Sequence, residues 1–207
     1  MDRIKNIVFD LGAVLIDIDF NKVAHSFKQL GFSNFELHYS QLQANELFQQ
    51  LEKGVISDLE FYTAIQQQID IPLSHAQIQN AWNSILLSFR LESMQLLTSI
   101  KNKYRLFLLS NTNAIHLEEI NAILFQQTNN ASLDSYFEKA YYSHIVGLRK
   151  PSKEIFSHVL QDAKILANET LFIDDSFPNI DTANQMGFQT HLLLPKEKIE
   201  HIEFLKV

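Results

Sequence analysis

Three aspartates, a Ser-Asn pair and a Lys-Pro pair stand at the ends of separate apolar runs, and their types suit transfer of a phosphoryl group. Asp10 closes the run Ile7-Val8-Phe9, and Ser110-Asn111-Thr112-Asn113 follows Arg105–Leu109. Lys150-Pro151 comes after Gly147-Leu148-Arg149, and Asp174-Asp175 ends Thr170–Ile173. Mg2+ prefers oxygen ligands and keeps several waters, so one or two carboxylates plus a substrate oxygen suffice to hold it. Asp10 and Asp174 are candidates for that role. A carboxylate can also attack phosphorus, which divides hydrolysis into two steps through an aspartyl-phosphate. Charge developing on the phosphoryl oxygens calls for preorganised positive groups: the metal, Lys150, the Ser110 hydroxyl and amides near Asn111. With a reference pKa of about 4, Asp10 is expected to be ionised at neutral pH. Each element alone also has an ordinary reading. Ser110 and Asn111 would cap a following helix, Lys150 would be exposed at a helix start, and Asp174-Asp175 would be solvated ahead of Pro178. Their combination, in this order on these runs, is what points to chemistry.

These residues converge only if the runs form one sheet. Ile4–Leu11, Arg105–Leu109, Lys139–Tyr142, Thr170–Ile173 and Gln189–Leu194 read as strands, with helical patterns over Ala114–Phe125, Lys153–Ala163 and Pro178–Met186. Strands apolar on both faces and alternating with helices predict a doubly wound α/β fold with a parallel sheet. Ligands in such sheets collect at the carboxyl ends of the strands, where all the residues above fall.

Residues 17–88 break the alternation. Val23, Phe27 and Leu30 predict a helix stopping at Gly31, and Leu42, Leu47, Phe48 and Leu51 a second stopping at Gly54. Ser57–Glu60 and Ser74–Gln77 have capping-box spacing. The first is followed by Leu59, Tyr62, Ile65 and Ile69 on one face, the second by Ile78, Ala81, Trp82, Ile85 and Phe89. Four helices in succession predict a helical bundle inserted as a cap over 17–88, with 1–16 and 89–207 forming the core. Ala13–Phe20 alternates and is expected to form a short hairpin or flap, and Gln126–Ser132 a polar loop.

The 207 residues allow one sizeable core with a small accessory domain. At 46% hydrophobic and 20% charged, the composition is that of a globular protein. A net charge of −7 disfavours nucleic-acid and anionic-membrane partners, so a phosphorylated metabolite must be captured by local charge. The absence of cysteine excludes disulfides, thiolate metal sites and cysteine nucleophiles. The start Met1-Asp2-Arg3-Ile4-Lys5 leads into an apolar run broken by Asp10, unlike a signal peptide or a spanning helix, and a cytoplasmic location is expected.

On these motifs the sequence resembles the phosphatases of the haloacid dehalogenase superfamily that carry a helical cap. Phe9-Asp10-Leu11-Gly12-Ala13-Val14, Leu108-Leu109-Ser110-Asn111, Lys150-Pro151 and Phe172-Ile173-Asp174-Asp175 (with Asn179 and Gly187) are similar to the four family motifs. Asp10-Leu11-Gly12, Ser110–Asn113 and Gly147–Pro151 look most like the subgroup active on glucose 1-phosphate. The resemblance implies a Rossmann-like core and a Mg2+-dependent hydrolase of small phosphomonoesters, a sugar 1-phosphate among them. It implies Asp10 as nucleophile and metal ligand, the Gly12 carbonyl and Asp174 as further ligands, and Asp175 beside them. Ser110, the Asn111 amide and Lys150 would hold the phosphoryl group.

Gly12 departs from the family pattern, which places a second aspartate there as general acid and base, a contribution of typically ~10²–10⁴-fold. Either the leaving group needs little protonation, as an anomeric sugar phosphate does, or Asp17 or Asp19 is borrowed. A non-catalytic phospho-ligand-binding protein of the same fold is the alternative. A receiver domain would carry its acidic pair after the first strand, and a dehalogenase needs no metal-binding pair. The eight histidines form no metal-ligand spacing. His116 alone is a candidate substrate contact, and Trp82 is expected in the bundle core.

Overall fold

The computed structural model describes residues 4–40 and 43–205. Strand β1 (Asn6–Phe9) and the short β2 (Ile16–Ile18) lead into α1 (Phe20–Gln29), then the two-residue strands β3 (Tyr39–Ser40) and β4 (Gln43–Ala44). Helices α2 (Glu46–Glu52), α3 (Asp58–Gln66) and α4 (His75–Asn83) come next. Then follow β5 (Leu86–Phe89), α5 (Leu91–Ile100), β6 (Arg105–Ser110), α6 (Ala114–Thr128), β7 (Lys139–Tyr142) and the single turn α7 (Ser143–Val146). The chain continues through α8 (Lys153–Asp162), β8 (Thr170–Asp174), α9 (Phe177–Gln185) and β9 (Gln189–Leu192). Among the described residues, no helix is long and apolar enough to cross a membrane.

The main sheet has the order β7-β6-β1-β8-β9 with every pairing parallel. Burial on both sides explains the unbroken apolar runs, because successive side chains point to opposite faces. Ile7, Phe9, Leu106, Leu108 and Ile173 pack with Met94 and Leu97 of α5 and Ile120 and Leu124 of α6. Val8, Phe107, Leu109 and Phe172 face the other way, onto Phe156 and Val159 of α8 and Ile180 and Ala183 of α9. The expected doubly wound architecture is therefore present, built on two apolar layers.

A third cluster lies in the inserted helices, where Phe27, Phe35, Phe48, Phe61 and Trp82 are all buried. Phe27 and Phe35 stack at 4.3 Å, and Trp82 packs against Phe48 at 5.2 Å. Ile115 of α6 joins this cluster, so the inserted helices share apolar contacts with the core domain. Both capping boxes form, with Ser57 and Glu60, and Ser74 and Gln77, satisfying each other's end of the helix.

Several sequence expectations need correction. The face predicted from Leu59 is rotated: Phe61, Tyr62 and Ile65 are buried, whereas Leu59 is exposed and Ile69 lies beyond the helix end. The fourth helix ends at Asn83, and Leu86–Phe89 form a strand paired antiparallel with Ile16–Ile18. The expected hairpin within Ala13–Phe20 is thus a ribbon whose second strand returns from the far side of the insertion. The polar stretch from Gln126 is helical to Thr128, and α6 stops where Asn129 turns left-handed at φ 60°. Leu42 lies outside the described residues.

Gly54, after α2, has φ +64°, and a Cβ there would lie 2.2 Å from the backbone oxygen of His144 in α7. Gly147 has a similar φ of +78° with no atom within 4 Å. Gly147→Ala is expected to cost about 1–2 kcal/mol for its left-handed backbone alone. Gly54→Ala adds a backbone clash and is expected to exceed that, on the order of 3 kcal/mol or more. Urea unfolding of the two variants checks the difference.

Candidate active site

The register of the parallel ladder determines which residues meet. Phe9 pairs with both Leu108 and Ile173, so Asp10 emerges level with Asp174, and its N–H donates to the Ile173 carbonyl at 2.9 Å. Ser110 ends the neighbouring strand and is 3% exposed. Lys150 reaches this edge from the loop before α8. Asn111 clamps that loop, its Oδ1 accepting from Lys150 N at 2.8 Å and its Nδ2 donating to Lys150 O at 2.9 Å.

Lys150 is buried at 1% exposure rather than lying free at a helix start. Its Nζ donates to Asp10 Oδ1 at 2.6 Å and Asp174 Oδ2 at 2.7 Å. Asp174 is fully buried and also accepts from Ser176 N at 2.8 Å and Asn179 Nδ2 at 3.0 Å. Asp10, Asp174 and Asp175 each offer an oxygen within 4.8 Å of the others. Three hard carboxylates at that spacing fit Mg2+ and give a soft metal no sulfur or imidazole donor. Ser110 and Asn111 are not the helix cap: Asn113 caps α6, accepting from His116 N at 3.0 Å.

Burial pushes the Asp10 carboxyl up to about 7, with Lys150 opposing and the charges of Asp174 and Asp175 adding to the rise. Without a bound cation, burial thus favours the neutral form of this group more than its reference value implies. Burial also opposes the charge on Lys150, but Asp10 and Asp174 outweigh it and hold the ammonium above its ordinary pKa.

A cleft of about 440 Å³ opens over these groups. Its floor is Asp10, Gly12, Ser110, Asn111, Lys150 and Asp175. The inserted helices and β2–β5 ribbon supply Ile18, Phe20, Tyr39, Glu52 and Leu86 as the opposite wall. A Cβ at Gly12 would come 3.1 Å from Ile18 Cδ1, so a methyl borders the position where the family carries its second acid. Neither proposed substitute for that acid lines the cleft. Asp17 pairs with Arg90 at 2.7 Å, and Asp19 caps α1 by accepting from Asn21 N at 2.9 Å. Phe177 is exposed.

Sequence reasoning missed a second polar group in the cleft. Glu52 of α2 is 4% exposed and its Oε2 accepts from Arg149 Nε at 2.8 Å, while Tyr39 donates to Oε1 at 3.4 Å. Burial raises the Glu52 pKa, and Arg149 opposes the shift. The available signal was an acid at the i+4 position of an apolar helical face, after Phe48 and Leu51.

His116 lines the cleft, and its ring stacks on Trp82 at 4.4 Å. Nε2 lies 3.2 Å from the Trp82 carbonyl and Nδ1 3.2 Å from Asn113 Nδ2, a pattern met by a neutral ring carrying its proton on Nε2. Burial holds this imidazole down to about 4, against an ordinary 6.5, with the Trp82 bond opposing. Between those values the unfolded chain binds a proton that the folded chain does not. Stability from this group is therefore complete above pH 6.5 and falls as pH drops toward 4, by on the order of 3 kcal/mol. Asp10 titrates in the opposite sense, so a comparison isolates His116. The His116→Gln variant is expected to be less stable at pH 7 but to lose less than wild type between pH 6.5 and 4, as read by urea unfolding.

Residues 4–187 match the family model described as haloacid dehalogenase-like hydrolase. The chain is 32% identical over 187 residues to D-ribitol-5-phosphate phosphatase of Bacteroides thetaiotaomicron, covering 90% of each. An Asp-to-Ala variant of a HAD family enzyme from that organism, solved with magnesium and inorganic phosphate, superposes with TM-score 0.91. It is 37% identical, with 96% of this chain and 98% of that one covered. A predicted HAD-like hydrolase of Porphyromonas gingivalis superposes with TM-score 0.84 at 35% identity, covering 94% and 92%. On a match that takes in most of its length, the chain belongs to the haloacid dehalogenase-like hydrolases.

Proposed function

We propose that this hydrolase is a Mg2+-dependent phosphatase of a small sugar or polyol phosphate, working through Asp10. The observation that carries the reading is Lys150 buried between Asp10 and Asp174 at the floor of an open cleft, with Asp175 beside them. Asp10, Asp174, Asp175 and the Gly12 carbonyl would hold the cation. Bound there, Mg2+ would supply positive charge to the phosphoryl oxygens and keep the carboxylates ionised. The relatives support this reading, one being named a phosphatase and another solved with magnesium and phosphate.

Lys150 holds one oxygen of Asp10 and leaves the other for phosphorus. As the Asp10–phosphorus bond forms, the bond from phosphorus to the ester oxygen breaks, and the departing oxygen takes a proton from a water held in the cleft. Water then attacks phosphorus, the bond to Asp10 breaks, and inorganic phosphate and the free carboxylate are released. Ser110, the Asn111 amide and Lys150 hold the phosphoryl oxygens throughout. Residues 17–88 act as the cap that excludes bulk water and selects the leaving group.

Replacing Asp10 by Asn is expected to lower magnesium-dependent hydrolysis of p-nitrophenyl phosphate by at least ~10³-fold. Ser110→Ala should lower it about 10²-fold. A phosphate-binding protein without turnover would release no p-nitrophenol in any variant, and that result would remove the enzyme reading.

Gly12 leaves the departing oxygen without an adjacent acid, which favours an anomeric ester such as glucose 1-phosphate. The named substrate of the Bacteroides relative is instead the ester of a primary alcohol. A side-by-side kcat/KM comparison of D-glucose 1-phosphate with D-ribitol 5-phosphate separates the two. The leaving-group argument expects the former to be hydrolysed faster, and equal values would defeat it.

A further inference from the structure

The cleft has a second charged residue next to its phosphoryl-binding lysine. Arg149 directly precedes Lys150 and lines the same space, so an unpaired guanidinium there would make a second anion site. It is not unpaired. Glu52 reaches across from α2 and accepts from Nε at 2.8 Å, its carboxylate 5% exposed. Burying a carboxylate is costly unless a partner offsets the loss of water, and Arg149 is that partner. The Tyr39 hydroxyl, also at the cleft wall, donates to the other carboxylate oxygen at 3.4 Å.

We propose that Glu52, Arg149 and Tyr39 form the subsite for the leaving group, selecting an uncharged polyhydroxylated group over one that bears a second anion. This rests on the phosphatase reading above and adds the chemistry of the alcohol. Glu52 cancels the charge of Arg149 at that wall while leaving guanidinium N–H donors, and the carboxylate itself adds acceptors. A sugar or polyol hydroxyl both donates and accepts, so it can satisfy such a wall. A carboxylate or second phosphate only accepts, and it would meet the charge of Glu52. The same wall without that charge would favour the anion through Arg149.

Glu52→Gln tests this, because it removes the charge and keeps the shape and an oxygen for Arg149. D-ribitol 5-phosphate serves as the ester with a neutral leaving group and 3-phosphoglycerate as the one with an anionic leaving group. The kcat/KM for each is divided by that for p-nitrophenyl phosphate, which cancels general damage to the phosphoryl site. Wild type is expected to favour the neutral ester, and Glu52→Gln to shift the ratio toward 3-phosphoglycerate by on the order of tenfold or more. A merely structural role would change both esters together and leave the ratio where it was, which would overturn the proposal. So would a wild type that does not discriminate, a result that needs no variant to fold. Binding preference apart from turnover is read from the shift in melting temperature that each ester produces with Mg2+ in the slow Asp10→Asn variant. If p-nitrophenyl phosphate is not hydrolysed while D-ribitol 5-phosphate still protects more than 3-phosphoglycerate, the phosphatase reading fails and the subsite stands. Equal protection sinks the subsite alone.

Discussion

A single ammonium group organises the carboxyl-terminal edge of the main sheet. Lys150 is almost wholly withdrawn from water, and Asp174 entirely so; neither charge would be tolerable there alone. Their mutual attraction is useful because it is incomplete. One ammonium meets two carboxylates and lies near a third, so the cluster keeps excess negative charge at the carboxyl ends of the strands. Burial is what chiefly raises the pKa of Asp10, Asp174 and Asp175 add to it against Lys150, and the excess charge makes the site receptive to a divalent cation. The remaining contacts hold the cluster in register: Asn111 fastens the backbone of Lys150, Asn179 and the Ser176 amide fasten Asp174, and the ladder sets Asp10 beside it.

Much of this was legible because a parallel sheet turns linear order into convergence. An apolar run followed by an acid or hydroxyl is weak evidence singly, but four such runs in a doubly wound sheet have their ends on one side. The stops at Gly31 and Gly54 and the two capping boxes were equally readable, since each is a local conformational demand. What sequence reading missed was non-local. Ile85 and Phe89 have helical spacing, yet Leu86–Phe89 is a strand because Ile16–Ile18, some seventy residues earlier, offers unpaired backbone groups. The Glu52–Arg149 pair joins residues 97 apart, and the acid on the apolar face of α2 marks Glu52 without naming its partner. Lys150 was readable as a site residue, but not the Asn111 clamp on its backbone or its burial between two aspartates.

Cap and core are not independent bodies resting on each other. Trp82 and His116 stack across the junction, Ile115 inserts into the aromatic cluster, and Gly54 lets α2 press against the backbone of α7. Of these residues His116 also lines the cleft, whose walls come from both parts, so both set the space above Asp10. Rings packed around Trp82 give the inserted helices an apolar interior of their own despite their short length.

The two chain crossings into and out of the cap are hydrogen-bonded to each other as β2 and β5. Two separate tethers would let the cap swivel about either one. Joined edge to edge, they constrain each other, with a register shift between Ile16 and Ile18 interrupting the pairing. Ile18, on that ribbon, is the residue that abuts Gly12. The placement of the ribbon therefore sets the room left over Gly12, two residues beyond Asp10 on the cleft floor.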